Sequence, residues 1–203
     1  MTWVQTVSGV AFDLLSPRVE DVRIEDIAHS LARLARYSGH TRGDLPWTVG
    51  AHSLLCADIV RVWGGDVRLQ REALLHDAGE AYYGDITSPV KRAFIERVAV
   101  ARESIVAQDA IAMLTGPIDR VVRQALGLEV TEPALVKRAD LVALALERKL
   151  LMAPCERDWA LAELADTRWE QLEARRPDVT EWTFNEALRA LDKQIALRAQ
   201  EAA

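Results

Sequence analysis

Within Leu74-Leu75-His76-Asp77-Ala78-Gly79-Glu80 a histidine and an aspartate stand side by side in a run that otherwise reads as buried helix. Glu80 follows one turn later, and on a continuous helix it shares nearly one face with His76 and Asp77. Three ionisable groups on a buried face are costly unless a cation or a substrate uses them. Two more residues break the same rule. His52 lies on the apolar stripe of Val49, Leu55, Cys56 and Ile59, where alone it reads as a hydrogen-bonded core histidine rather than a ligand. Asp140 interrupts Ala139 to Leu146, a segment apolar almost all round. A carboxylate there must be protonated, coordinated, or paired with a neighbour such as Lys137 or Arg138. Jointly, His52, His76, Asp77 and Asp140 supply two imidazoles and two carboxylates. That mixed nitrogen and oxygen set suits one divalent ion (Mg, Mn, Co, Fe, Ni or Zn), with positions left for water and substrate.

The elements that must carry these residues are helical. Ile24, Ile27, Ala28, Leu31, Leu34 and Ala35 predict a first helix to about Tyr37, with Asp21 as cap. Residues 38–46 form a loop by composition. A second helix is expected over 47–63, ended by Gly64-Gly65, and a third from the Asp66 cap to about Gly84. Gly84 to Pro89 is a turn, and Pro89 starts a helix that continues, with a break, to Leu114. Gly116-Pro117 should stop it. A short helix over 117–126, a long one over 132–152 capped by Thr131, and two more near 156–174 and 179–199 follow. The last opens with an Asp178…Glu181 capping box. Residues 1–22 read as an irregular lead-in with a short hairpin at Ser8-Gly9. The expectation is one all-α domain over 1–203, with the chemistry in 24–152 and carboxy-terminal helices in 156–199.

Composition excludes several functions. Half of the 203 residues are hydrophobic and 28% are charged, a balance that supports a buried core and not disorder. A formal charge of −6 offers no field to attract a nucleic-acid backbone, so no nucleic-acid partner is expected. No signal peptide and no bilayer-length apolar run are visible, so no membrane partner is expected and the default location is cytoplasmic. Cys56 and Cys155 are too few for a disulfide framework or a thiolate zinc site, and Cys56 reads as a packing residue. Trp159, Trp169 and Trp182 read as core or dimer-interface anchors, which makes a homodimer reasonable.

The order His52 … His76-Asp77 … Asp140 resembles the metal signature of the HD-domain phosphohydrolase superfamily. The run His76-Asp77-Ala78-Gly79-Glu80-Ala81-Tyr82-Tyr83-Gly84-Asp85-Ile86-Thr87-Ser88-Pro89-Val90-Lys91 is similar to the bacterial 5′-deoxynucleotidase branch and to related phage enzymes that hydrolyse deoxyadenosine triphosphate. The segment from Ala28-His29 through Arg36-Tyr37 looks like the first helix of that branch. The resemblance covers roughly Ile24 to Met152 and implies an HD-type helical bundle. It implies that His52, His76, Asp77 and Asp140 bind the metal and that Glu80 is the catalytic carboxylate, with Asp77 also a catalytic residue. Asp85 would meet the sugar 3′-hydroxyl, and Arg36 and Lys91 would hold phosphate oxygens. Ser88 would help, and Tyr37, beside Arg36, would be a further substrate-binding residue. The loop Gly39-His40-Thr41 departs from the nucleotidase pattern, and His40 is a candidate base or phosphate contact.

Phosphate-ester hydrolysis needs a nucleophilic water, neutralised equatorial oxygens and help for the departing alkoxide. A metal supplies the first, Arg36 and Lys91 share the charge, and Glu80 is placed to position the water or shuttle its proton. Read without the resemblance, Arg36 is equally a helix carboxy-terminal cation. Lys91 is then a solvated side chain and Asp85 a turn residue. His29 reads as packing. The function expected is a metal-dependent phosphohydrolase of deoxynucleotides, with water attacking the 5′ phosphorus. Its rivals are hydrolysis of another small phosphate, such as a cyclic or signalling nucleotide, and a non-catalytic helical interaction module with a structural metal.

Overall fold

The computed structural model describes residues 2–102, 106–157, 159, 161–166 and 168–201. The fold is all-α apart from one hairpin, in which β1 (Trp3–Gln5) pairs antiparallel with β2 (Ala11–Asp13) in the register Val4 to Phe12. The helices are α1 (Ile24–Leu31), α2 (Val49–Val62), α3 (Val67–Leu75), α4 (Glu80–Tyr83), α5 (Ser88–Arg102), α6 (Val106–Ala125), α7 (Ala134–Leu151) and α8 (Pro177–Glu201). Among the described residues no helix is long and apolar enough to cross a membrane.

Apolar burial sets the frame. Phe12, Ile27, Leu31, Leu74, Leu75, Ile118 and Phe184 are buried in one core. Trp47, Cys56, Ile59, Ala139, Val142 and Leu146 are buried in a second. Each such large side chain contributes about 1.5–3 kcal/mol when withdrawn from water. α2 and α3 supply residues to both cores and pack on each other, α2 also packs on α7, and α3 on α7 and α8. The seam between the cores therefore runs along α2 and α3, where His52 and His76 lie.

Several boundaries differ from the sequence expectation, each for a local reason. α1 stops at Leu31 instead of continuing to Tyr37, because Ala35 bridges to Thr48 and both Tyr37 (φ 56°) and Ser38 (φ 53°) are left-handed. Asp21 does not cap it; that carboxylate accepts from Arg18 instead. Asp66 does cap α3, accepting from the Arg68 and Leu69 amides. α3 nevertheless ends at Leu75, and His76–Gly79 form a tighter turn held by bonds such as Ala78 N–H to Leu75 O and Glu80 N–H to Asp77 O. Gly84 (φ 84°) ends α4, as only a glycine readily does in that conformation.

Residues 103–105, within the helix expected from Pro89 to Leu114, lie outside the described residues. Gly116-Pro117 does not stop the chain: α6 runs through Pro117 to Ala125. A proline in a helix interior costs about 3 kcal/mol, and the full burial of Ile118 and near-full burial of Val122 offset it. Thr131 does not cap α7, whose N-cap is Pro133. The helix expected at 156–174 is absent among the described residues, which show only a 3-10 turn at Ala162–Leu164. There Asp166 accepts from the Arg168 amide, a local bond that competes with helix, while Ala165, Trp169 and Leu172 pack on the second core. The Asp178…Glu181 capping box is not made either: Asp178 pairs with Arg176, and Glu181 accepts from Arg33.

Candidate metal centre

α2 begins where Thr48 accepts from the Ala51 amide, and this start is stapled to the preceding segment by Arg36 N–H to Trp47 O and Val49 N–H to Leu34 O. One turn in, fully buried His52 points at the seam. The turn after α3 brings His76 and Asp77 against it, and α7 brings Asp140. His52 Nε2 lies 3.1 Å from Asp140 Oδ1 and 3.7 Å from Asp77 Oδ2, and His76 Nε2 lies 3.2 Å from Asp77 Oδ2. The two imidazole centroids are 5.3 Å apart. All four predicted ligands are thus brought together, although the helix expected to carry three of the site residues is broken. Asp140 is half-buried at the rim rather than enclosed, and Arg138 lies over the Trp63 ring instead of pairing with it.

Each imidazole has its Nδ1 engaged by an acceptor: the Glu147 carboxylate at 2.6 Å for His52, the Ala73 carbonyl at 2.7 Å for His76. That arrangement turns both Nε2 atoms into the shared space, the usual orientation of metal-bound histidines. Among the described residues, buried His76 Nε2 has no hydrogen-bond partner. The ligand atoms of His52, Cys56, His76 and Asp140 lie within 4.8 Å of one another, a group that could hold a metal ion. Cys56 was expected only to pack, yet it stands one turn after His52 on the same face, with Sγ 3.5 Å from His52 Nε2.

Glu147 is the residue that sequence reasoning missed. It is fully buried on α7, two turns beyond Asp140 and on the same face. It accepts from Trp47 Nε1 at 2.8 Å, His52 Nδ1 at 2.6 Å, Tyr37 Oη at 2.5 Å and Arg36 Nε at 3.2 Å. Burial pushes its carboxyl up, but the positive fields of His52 and Arg36 and these hydrogen bonds outweigh burial and hold it at about 2. The signal available in the sequence was an ionisable residue closing the apolar run Leu144-Ala145-Leu146.

The surrounding charges are strongly coupled. Burial works to lower His76, yet the Asp77 carboxylate wins and pushes it up to about 10. Burial raises Asp77, and His76, His52 and Arg36 more than reverse it. Asp140 is likewise lowered, against burial, by His52. Glu80 goes the other way: burial, reinforced by Asp77 and Asp85, pushes it up to about 8, and its buried Oε2 has no partner. Gly79 leaves room for this turn, since a Cβ there would collide with Asp119 Oδ1.

The substrate-binding candidates divide. Arg36 is almost buried, with Nη1 3.6 Å from Asp77 Oδ2, so it joins the cluster directly. Tyr37 joins through Glu147. Asp85 is half-buried, raised by burial and by Asp77 while Arg36 and Lys91 pull it down, which places it in the field of the cluster. Lys91 is half-buried on α5 and Ser88 is exposed at its start. His40 is exposed, and no side-chain contact among those described ties it to the cluster. His29 lies 3.3 Å from Glu181, away from the ligand set. Trp169 packs on the second core, whereas Trp182 is exposed.

No family model matches the chain. An uncharacterized protein of Rhodobacter capsulatus is 37% identical over 130 residues, covering 61% of this chain and 66% of that protein, a little under two thirds of its length. Uncharacterized protein YfdR of Escherichia coli (strain K12) is 33% identical over 149 residues, covering 73% of this chain and 72% of YfdR. At that identity and mutual coverage, the chain belongs to the same protein family as YfdR.

Proposed function

We propose that this protein is a divalent-metal-dependent phosphohydrolase of the HD type that acts on deoxynucleotides, with water attacking the 5′ phosphorus. The observation that carries the proposal is the convergence of His52, His76, Asp77 and Asp140 on one space beside a buried, unpartnered Glu80 oxygen. The donor set fits a divalent ion: two Nε2 atoms face the same space, one of them orphaned, and two carboxylates balance the charge. When bound, that ion supplies Lewis acidity and charge neutralisation at the phosphoryl group.

The remaining roles fall to the protein's own side chains. Glu80, whose carboxyl burial pushes up to about 8, accepts a proton from the attacking water in its ionised form. Arg36, its Nε anchored on Glu147, presents its outer nitrogens towards the space above Asp77 and stabilises phosphate oxygens. Lys91 and Ser88 at the start of α5 bind the outer phosphate oxygens, and Asp85 accepts from the sugar 3′-hydroxyl, as the sequence resemblance implies. The substrate is a small molecule in this proposal.

A screen of deoxynucleoside mono- and triphosphates against Mg, Mn and Co tests it. Metal-dependent release of phosphate or tripolyphosphate is the expected result. Metal-raised melting with no turnover of any substrate would overturn it in favour of a structural metal in a helical interaction module.

A further inference from the structure

We infer that Cys56 is a sulfur donor to the same ion, and that the site is built for a borderline cation such as zinc, cobalt or ferrous iron rather than magnesium or manganese. Cys56 can play this part only if an ion binds as proposed above. Its Sγ is fully buried, 3.5 Å from His52 Nε2, and belongs to the group whose ligand atoms lie within 4.8 Å of one another. His52 and Cys56 stand four residues apart on α2, so helical geometry alone points both side chains at one spot.

A second observation shows that the spot lacks something. His76 Nε2 is buried without a hydrogen-bond partner, while its Nδ1 is already satisfied by Ala73. A thiol carries one weak proton and sits beside His52, so it leaves His76 unsatisfied. A cation satisfies both rings, the Asp140 carboxylate and the sulfur together. The spacings agree: donors around one ion with bonds of about 2.0–2.3 Å stand roughly as far apart as the 3.1 Å from His52 to Asp140 and the 3.5 Å from His52 to Cys56. On binding, the sulfur–metal bond forms as the thiol proton leaves to solvent, with no change in oxidation state. Thiolate ligands favour zinc, cobalt and iron, whereas magnesium and manganese prefer oxygen.

The test uses the full chain with Cys155→Ser, which removes the exposed thiol and leaves Cys56 alone. Cobalt(II) is added, and metal content and absorption are recorded. One cobalt per chain with a near-ultraviolet sulfur-to-cobalt charge-transfer band is expected. Adding Cys56→Ser should abolish the band and weaken zinc binding by about tenfold or more, a loss at least as large as removing an outer partner of a ligand, while manganese binding changes little. X-ray absorption of the zinc-loaded Cys155→Ser protein gives a readout that needs no change at Cys56, and a sulfur neighbour is expected. Bound cobalt without the band, or zinc without a sulfur neighbour, overturns the role of Cys56 and leaves the proposed metal-dependent function standing. Failure of the folded protein to take up cobalt, zinc or manganese overturns both.

Discussion

The surroundings of His52 and the rim from Asp85 to Lys91 are finished to different degrees by folding. Around His52, Glu147 alone accepts from four side chains on three segments, so the imidazole, Arg36 and Tyr37 are fixed relative to one another. These bonds also hold Tyr37 in a left-handed conformation that costs a non-glycine residue about 1–2 kcal/mol. Along the rim, Ser88 is exposed, Asp85 and Lys91 are half-buried, and no side-chain hydrogen bond among those described joins the three. In the proposed enzyme the metal half is preorganised, and the phosphate half acquires its partners from the substrate. Preorganised groups contribute without reordering cost, whereas the rim must be ordered by the ligand at each binding event.

Glu80 stands at the border of the two, buried yet unpartnered, so its substitution tests the comparison most severely. Glu80→Gln keeps the volume and removes the charge and the ability to take a proton. Turnover should fall by roughly 10²–10⁴ with metal content unchanged, measured by single-turnover kinetics beside metal analysis. Loss of metal together with activity would instead make Glu80 a ligand and move it into the preorganised half.

Glu147→Ala strikes the preorganised half itself. It strands the Trp47 and His52 N–H groups, the Tyr37 hydroxyl and the Arg36 guanidinium, and removing one side of such a buried network costs about 3–5 kcal/mol. Urea unfolding should show that loss, and metal affinity should drop about ten- to a hundredfold as His52 loses its orienting acceptor. Stability within about 1 kcal/mol of the parent would mean that the network does not organise the site.

The contrast between the halves also explains what could be read from the sequence. His52, Asp140 and the His76-Asp77 pair stood out because each is a polar residue on an otherwise apolar face, and burial is what such periodicity encodes. The break at His76–Gly79 was hidden because none of its four residues forbids helix; the tighter turn is imposed by packing against α2 and α6 and by the approach of Asp119 to Gly79. Glu147 was hidden because it sits next to Arg148 and Lys149, where a carboxylate resembles an ordinary surface residue. Cys56 looked like any buried cysteine, since a single thiol carries no spacing signal. At residues 156–174 apolar residues at nearly helical spacing suggested a helix, but among the described residues Ala165, Trp169 and Leu172 only partly bury against the second core, and Trp159 and Leu164 are exposed.

On the rim, Lys91→Ala should leave melting temperature and metal content nearly untouched, because no described ion pair depends on it. Losing one charge-assisted phosphate contact costs on the order of 1.5–3 kcal/mol, a fall of about ten- to a hundredfold in kcat/KM. Steady-state kinetics on a phosphorylated substrate measures it. An unchanged kcat/KM would return Lys91 to the solvated surface and shrink the rim to Asp85 and Ser88.

His40 lies just past Tyr37, outside both halves. Its side chain is exposed, and its one described bond is a backbone amide donating to Tyr37 O, which alanine retains. Substituting an exposed side chain with no partner changes stability by no more than about 0.5 kcal/mol, so His40→Ala should melt with the parent. If the site ends at Tyr37, kcat/KM should also stay within about twofold, a change of about 0.5 kcal/mol. The loop of residues 38–46 follows directly on Tyr37, so a substrate that draws it inwards would bring the imidazole to the phosphate. In that event His40→Ala should raise KM by more than about tenfold, the loss of one charge-assisted contact. Measuring KM for parent and variant decides between a site that ends at Tyr37 and one that the ligand extends.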